Sequence, residues 1–261
     1  MRPSLPRRLG PRRLGHGEEA TLVEHLDELR SRLIVSLLAV GVAAGVAFAF
    51  HHRIVNWLVE PLPEEHRQLM TFSPIEPFST SMKLSIYAGL LLALPVVLWQ
   101  FWSFLAPAVE ENAQKVVARF VAFATALVLA GIAFAYWVVL PPALHFLTNY
   151  DDSLYAIQIR AKDYLAFVTV TFLAVAIVFQ LPIFILALVR LRVLTAERLR
   201  QNRRIGYVAC VAIAVLLPSV DPVSLVLESV PLLLLFEGSI WLSVLFERRW
   251  ERAGVLWAPP A

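Results

Sequence analysis

Three acids, Glu24, Asp27 and Glu28, crowd against Arg30 and Arg32 in the stretch Thr21-Leu22-Val23-Glu24-His25-Leu26-Asp27-Glu28-Leu29-Arg30-Ser31-Arg32-Leu33. Carboxylates and guanidiniums gathered in this way accept and donate paired hydrogen bonds, so the chemistry on offer is ion pairing at a surface. Thr21 and Glu24 form a capping box for a helix start. Leu22, Leu26, Leu29 and Leu33 then fall on one apolar stripe, with Glu24, Asp27, Glu28 and Ser31 around the polar side. The spacing predicts an amphipathic helix lying along a membrane surface. On spacing alone a plain interfacial anchor is the simpler account, with Glu28 paired to Arg32 at i, i+4 for about 0.3 kcal/mol.

A second group of polar residues stands inside apolar runs. Gln180 lies about ten residues from Arg190, which puts it near the middle of a membrane-length helix. It cannot titrate, so it either docks a partner helix by hydrogen bonding or satisfies itself within the chain. Glu228 and Glu237, nine residues apart, project from opposite sides of one helix at about 100° per residue. Intramembrane acids are functional candidates by default, but two on opposite faces do not make a proton wire. His51, His52 and His145 lack metal-ligand spacing, and the single cysteine, Cys210, can form neither a disulfide within the chain nor a cysteine metal cluster. No nucleophile and base stand in a catalytic pattern, so neither enzymatic activity nor a cofactor or metal is expected.

The elements that must position these residues follow from composition. Of 261 residues, 59% are hydrophobic and only 16% charged, and the charges fall in blocks between long uncharged runs. This excludes an ordinary water-soluble fold. Net charge +3 comes from arginines beside the apolar runs, where they anchor to anionic lipid headgroups, which argues against nucleic acid as a partner. The runs are Leu33 to Phe50, Leu84 to Val109, Phe120 to Leu144, Tyr164 to Val189, Ile205 to Val220 and Val223 to Phe246. Six transmembrane helices are therefore expected, the fifth short and joined to the sixth by a tight Asp221-Pro222 hairpin. Pro95, Pro182 and Pro231 predict kinks, which suit a concave bundle.

With the amino terminus inside, Lys and Arg number eighteen on the inner side and five on the outer, which predicts cytoplasmic termini. Residues 1–20 are expected to be a disordered Arg-rich tail, 21–249 one transmembrane domain, and 250–261 a flexible tail. The outer segment His51 to Lys83 carries Pro61, Pro63, Pro74 and Pro77 and is expected to form a rigid cap.

Several strings together resemble the TatC family of the twin-arginine protein translocase. His25-Leu26-Asp27-Glu28-Leu29-Arg30-Ser31-Arg32-Leu33 is similar to the family's H-L-x-E-L-R-x-R-L opening. Ser73-Pro74-Ile75-Glu76-Pro77-Phe78 resembles its entry to the second span, and Trp102-Ser103-Phe104-Leu105-Ala106-Pro107-Ala108 its A-P turn. Phe134-Ala135-Tyr136, Phe179-Gln180-Leu181-Pro182 and Pro218-Ser219-Val220-Asp221 continue the likeness. It implies a receptor in a bacterial or archaeal cytoplasmic membrane that binds twin-arginine signal peptides of folded cargo. TatA- and TatB-type single-span proteins would be partners, with the proton-motive force as driver. Membrane lipids and, within the complex, further copies of the chain would complete the surroundings.

Carried residue by residue, the resemblance implies a peptide site at Glu28, Arg30, Phe104 and Pro107, and intramembrane polar positions at Gln180, Glu237 and Asp221. The sequence departs from the family twice. The second recognition acid aligns with Ala113, so Glu110 and Glu111 are the candidates to supply it, and Gln180 replaces a glutamate carried by many relatives. The alternative function is a proton-coupled secondary transporter or channel, against which stand the lack of repeated halves and the H-L-x-E-L-R string.

Overall fold

Long runs of Leu, Val and Ala leave a backbone in lipid only its own hydrogen bonds, and such a chain must be helical. The computed structural model describes residues 22–105, 113–151, 154–190, 193–217 and 221–252. In order come α1 (Leu22–Ala49), α2 (His51–Val59), α3 (Glu76–Leu105), α4 (Ala113–Phe134), α5 (Leu140–Asn149), α6 (Ala161–Val178), α7 (Leu181–Arg190), α8 (Ala196–Gln201), α9 (Arg203–Leu216) and α10 (Pro222–Arg252). Five stretches are long and apolar enough to cross a membrane: Leu26–Ala49, Glu76–Phe104, Val117–Asn149, Ala161–Arg190 and Pro222–Glu247. α9 is the short run foreseen in the sequence; its 14 residues rise about 21 Å against about 30 Å of hydrocarbon. The chain is an all-helical, multi-pass membrane protein.

Several boundaries differ from expectation. The surface helix and the first span are one helix, because no Gly or Pro occurs between Leu22 and Val40 to turn the chain out of the span. α3 starts eight residues before Leu84, so part of the expected cap is helix. The third run is interrupted by a single π turn, Ala135–Val139, before Pro141 and Pro142. α9 ends at Leu216 and α10 begins at Pro222; residues 218–220, beside the expected Asp221-Pro222 hairpin, lie outside the described residues. Of the expected kinks, Pro182 gives an outright break. Lacking an N–H, it cannot bond to the Val178 carbonyl, and the Gln180 amide turns to Ile177 O at 3.0 Å, so α6 stops and α7 restarts. Pro95 and Pro231 lie within the uninterrupted helices α3 and α10.

α3 is the central post, packing against α1, α4 and α6, while α10 packs on α7 and α9. α1 approaches α3 through a glycine: a Cβ on Gly89 would lie 2.5 Å from the Ala44 Cα. Beyond α3 little protein surrounds α1, since only 6% of its spanning window is buried. The core has three apolar clusters, one around Leu84, Tyr136, Leu140 and Phe172, one around Trp102, Val121 and Ile183, and one around Cys210, Leu232 and Ile240.

The end of the bundle opposite Glu28 is stapled shut. Met70 N donates to Ile159 O at 2.9 Å and Ala161 N to Met70 O at 2.8 Å, a one-residue parallel bridge between two connections distant in sequence. Beside it the buried Glu76 carboxylate accepts from Arg160 Nε at 2.8 Å and Nη2 at 3.0 Å, and from the Phe72 amide at 3.2 Å. The bond to Glu76 raises the Arg160 pKa further above its ordinary value. Tyr164 donates to Leu58 O at 2.6 Å, and Trp57 stacks on Tyr136 with ring centroids 4.3 Å apart.

Candidate functional site

The other end gathers the start of α1, the end of α3, the starts of α4 and α9, the end of α7, α8 and the end of α10. Arginine is concentrated there, with Arg30, Arg32, Arg119, Arg190, Arg198, Arg200, Arg203 and Arg204 among the described residues. Glu28 stands in this company. Its Oε1 accepts from Arg32 Nη2 at 2.5 Å and Nε at 3.0 Å, while Arg32 Nη1 donates to the Gln100 carbonyl of α3 at 3.4 Å. The i, i+4 pair foreseen in the sequence is therefore present, and Arg32 ties it to a second helix. Among the described residues Glu28 Oε2 accepts no bond, and the side chain is 38% exposed, so half of the carboxylate is open to an incoming guanidinium.

Asp27 and Arg30 are exposed on the same helix, and Phe104 is half-buried near the end of α3. Pro107, Glu110 and Glu111, expected at this site, lie outside the described residues. So do the capping residue Thr21 and the tails before Leu22 and after Arg252.

Gln180 sits at the break between α6 and α7, 3% exposed. Its amide donates to Ala124 O of α4 at 3.2 Å and to Ala176 O at 3.5 Å. The Ala176 carbonyl is available because the Gln180 backbone amide has turned to Ile177, so the side chain repairs the helix that Pro182 breaks. Gln180→Leu is accordingly expected to shift thermal stability by about 1 kcal/mol or less, the usual scale of a hydrogen bond between helices in a membrane. Differential scanning fluorimetry in detergent measures it; a loss several times larger would show the amide to be a main fastening of α4 to α6.

Glu237 faces a different neighbour. One oxygen accepts a short bond from the Tyr207 hydroxyl of α9, and the other lies 3.5 Å from Arg203 Nη2. Glu228 is 2% exposed on the same helix. Gln180 and Glu237 are not hydrogen-bonded to each other: one is turned to α4 and the other to α9. Asp221 caps α10: its Oδ1 accepts from Ser224 N at 2.8 Å with Pro222 in the first helical position.

Sequence reasoning missed Arg203, Tyr207 and Glu247 as partners. Arg203 counted only toward topology, although Glu237 had to find a cation or donor nearby. Glu247 accepts from the Ala196 amide at 3.3 Å and pins α8 to α10. With Glu197, Arg200, Gln201 and Arg203 it lines an open cleft of about 670 Å³. Among the described residues no His, Cys, Asp and Glu group could hold a metal ion.

Crossing helices and an arginine-rich end that carries the Glu28 and Arg32 pair define a multi-pass membrane protein. The family model described as Sec-independent protein translocase protein (TatC) matches residues 24–231, and the chain belongs to the TatC family. Sec-independent protein translocase protein TatC of Aquifex aeolicus is 36% identical over 233 residues, covering 87% of this chain and 96% of that one. The protein of the same name from Carboxydothermus hydrogenoformans is 32% identical over 224 residues, with 85% and 92% covered. The chloroplast TATC protein of Arabidopsis thaliana is 35% identical over 226 residues; the match covers 86% of this chain and 66% of that longer protein. In three dimensions the chain is similar to the crystal structure of twin arginine translocase receptor TatC in DDM, with TM-score 0.75 and 34% identity over 84% of this chain and 99% of that one.

Proposed function

We propose that this chain is the receptor and core subunit of a twin-arginine translocase, binding the signal peptides of folded cargo at the charged end of the bundle. That end faces the cytoplasm of a bacterium or archaeon, α9 completes six passes, and both termini lie inside. The distribution of Lys and Arg, eighteen against five, supports this orientation. Glu28 carries the proposal, since it is a partly exposed acid that Arg32 holds through one oxygen, which leaves the second for a guanidinium of the peptide. Exposed ion pairs contribute only about 0 to 1 kcal/mol each, so the peptide's apolar segment must be buried as well, beside Phe104 and Pro107. Glu110 and Glu111, in the connection from α3 to α4, supply the second acid in place of Ala113, and Arg30 lines the approach.

TatA- and TatB-type single-span helices dock along the membrane faces near Gln180, Glu237 and Asp221, further copies of the chain complete the assembly, and the proton-motive force drives passage. The protein works as a receptor and not as an enzyme.

The test is the affinity of a signal peptide with Arg-Arg or Lys-Lys at the pair, measured on the detergent-solubilised chain. Glu28→Gln is expected to weaken the Arg-Arg peptide by up to about fivefold and to leave the Lys-Lys peptide little changed. Neutralising Glu110 and Glu111 together is expected to weaken the Arg-Arg peptide again. Equal binding of the two peptides by the unmodified chain would overturn the receptor assignment.

A further inference from the structure

A second, drier cleft opens at the same end. α4 and α10 both flank α7, and between them lies a cavity of about 230 Å³. Its walls are apolar, formed by Phe120 and Phe123 of α4, Leu186 of α7, and Leu242 with Phe246 of α10. Arg119 and Arg190 complete the lining, each nearer the helix end than the apolar residue of its own helix, and none of the described lining residues is acidic. The Arg190 guanidinium is held over the Phe120 ring, 5.8 Å from its centroid, which fixes the cation beside the apolar space.

We propose that this cleft binds an anionic phospholipid, one acyl chain lying against Phe123, Leu186 and Leu242 and the phosphate meeting Arg119 and Arg190. Two features choose this occupant. The slot is narrow, about 230 Å³ between three helices, and a thin flexible hydrocarbon chain follows it more closely than a cylinder about 10 Å across. Charge excludes a neutral lipid or a bare hydrocarbon, because two guanidiniums at the headgroup end of an apolar slot attract a phosphate that carries net negative charge. Basic pockets between transmembrane helices on the cytoplasmic side select anionic headgroups on this principle. The site shares no residue with the proposed peptide site. Only the assignment to the inner leaflet rests on the orientation proposed above, and the measurement below reads lipid charge in either leaflet.

The experiment is native mass spectrometry of the full chain, delipidated in detergent and titrated with phosphatidylglycerol or phosphatidylcholine. The unmodified chain is expected to retain phosphatidylglycerol about tenfold more tightly, as two arginines near a headgroup require. The double variant Arg119→Gln/Arg190→Gln is expected to bring the two lipids within about twofold of each other. Leu242→Trp, which fills the cleft and keeps both arginines, is expected to reduce retention of phosphatidylglycerol. Glycerol phosphate, a headgroup without chains, should not displace the lipid. Equal retention of the two lipids by the unmodified chain overturns the proposal, as does a preference that survives the double variant. Displacement by glycerol phosphate would make the site one for free phosphate esters and overturn it too.

Discussion

Gly89→Ala is expected to cost about 1–3 kcal/mol of stability, the range for adding a methyl group where no room exists, and to push α1 away from α3. The added carbon would stand 2.5 Å from both the Cα and the N of Ala44, and 2.7 Å from its Cβ. Two of these three atoms are backbone, so no side-chain rotation relieves the clash and the helices must separate. In lipid, helices gain little from apolar burial and depend on close packing, for which small residues let backbones approach. α3 is the protein neighbour against which α1 lies along its length, and the Arg32 bond to the Gln100 carbonyl crosses the same interface. Gly89→Ala should therefore lower the melting temperature in detergent and weaken signal-peptide binding together, although Gly89 is far from Glu28 along the membrane. Gly41→Ala and Gly45→Ala are the controls. A Cβ at either meets nothing within 4 Å, and alanine favours the helix by about 1 kcal/mol over glycine, so both should be neutral or slightly stabilising. Equal effects from the three substitutions would mean that α1 is not seated on α3 through Gly89.

The sequence disclosed the spans because hydrocarbon imposes a length, and the described part of each long uncharged run is largely helix, with a break at Phe179 and Gln180. It disclosed the Glu28 and Arg32 pair because i, i+4 spacing on a helix settles which side chains meet. The interruptions were less legible. Pro182 announced a kink, but that it breaks the helix and that Gln180 repairs the break depends on where α4 brings the Ala124 carbonyl, which is tertiary information. The partners of Glu237 were hidden for the same reason. Arg203 and Tyr207 are thirty or more residues away and belong to the helix too short to be judged by hydropathy alone. Continuity of α1 was misjudged because amphipathic spacing describes which faces are polar and says nothing of whether the axis bends between surface and span.

Arg160→Gln should be the more damaging of the two single changes at the Glu76 and Arg160 clamp, with a fall in melting temperature on the order of 5 °C or more. The asymmetry follows from burial. Glu76 is 3% exposed and Arg160 37%, so removing the arginine strands a carboxylate with backbone amides, those of Phe72 and Lys162, and no cation, whereas Glu76→Gln leaves a guanidinium that water can reach. The Arg160 guanidinium also lies over the Phe72 ring at 5.4 Å, so its loss removes both the ion pair and this ring contact and leaves the Met70 backbone bridge as the remaining tie to the start of α6. A protease added on that side should then cut within 61–75 faster in Arg160→Gln than in Glu76→Gln. Replacing both, Glu76→Leu with Arg160→Met, should restore much of the lost stability, because no buried charge is left without its partner. A double variant as unstable as Arg160→Gln would show that the clamp holds the cap through shape and backbone pairing, and that the stranded carboxylate is not the cause.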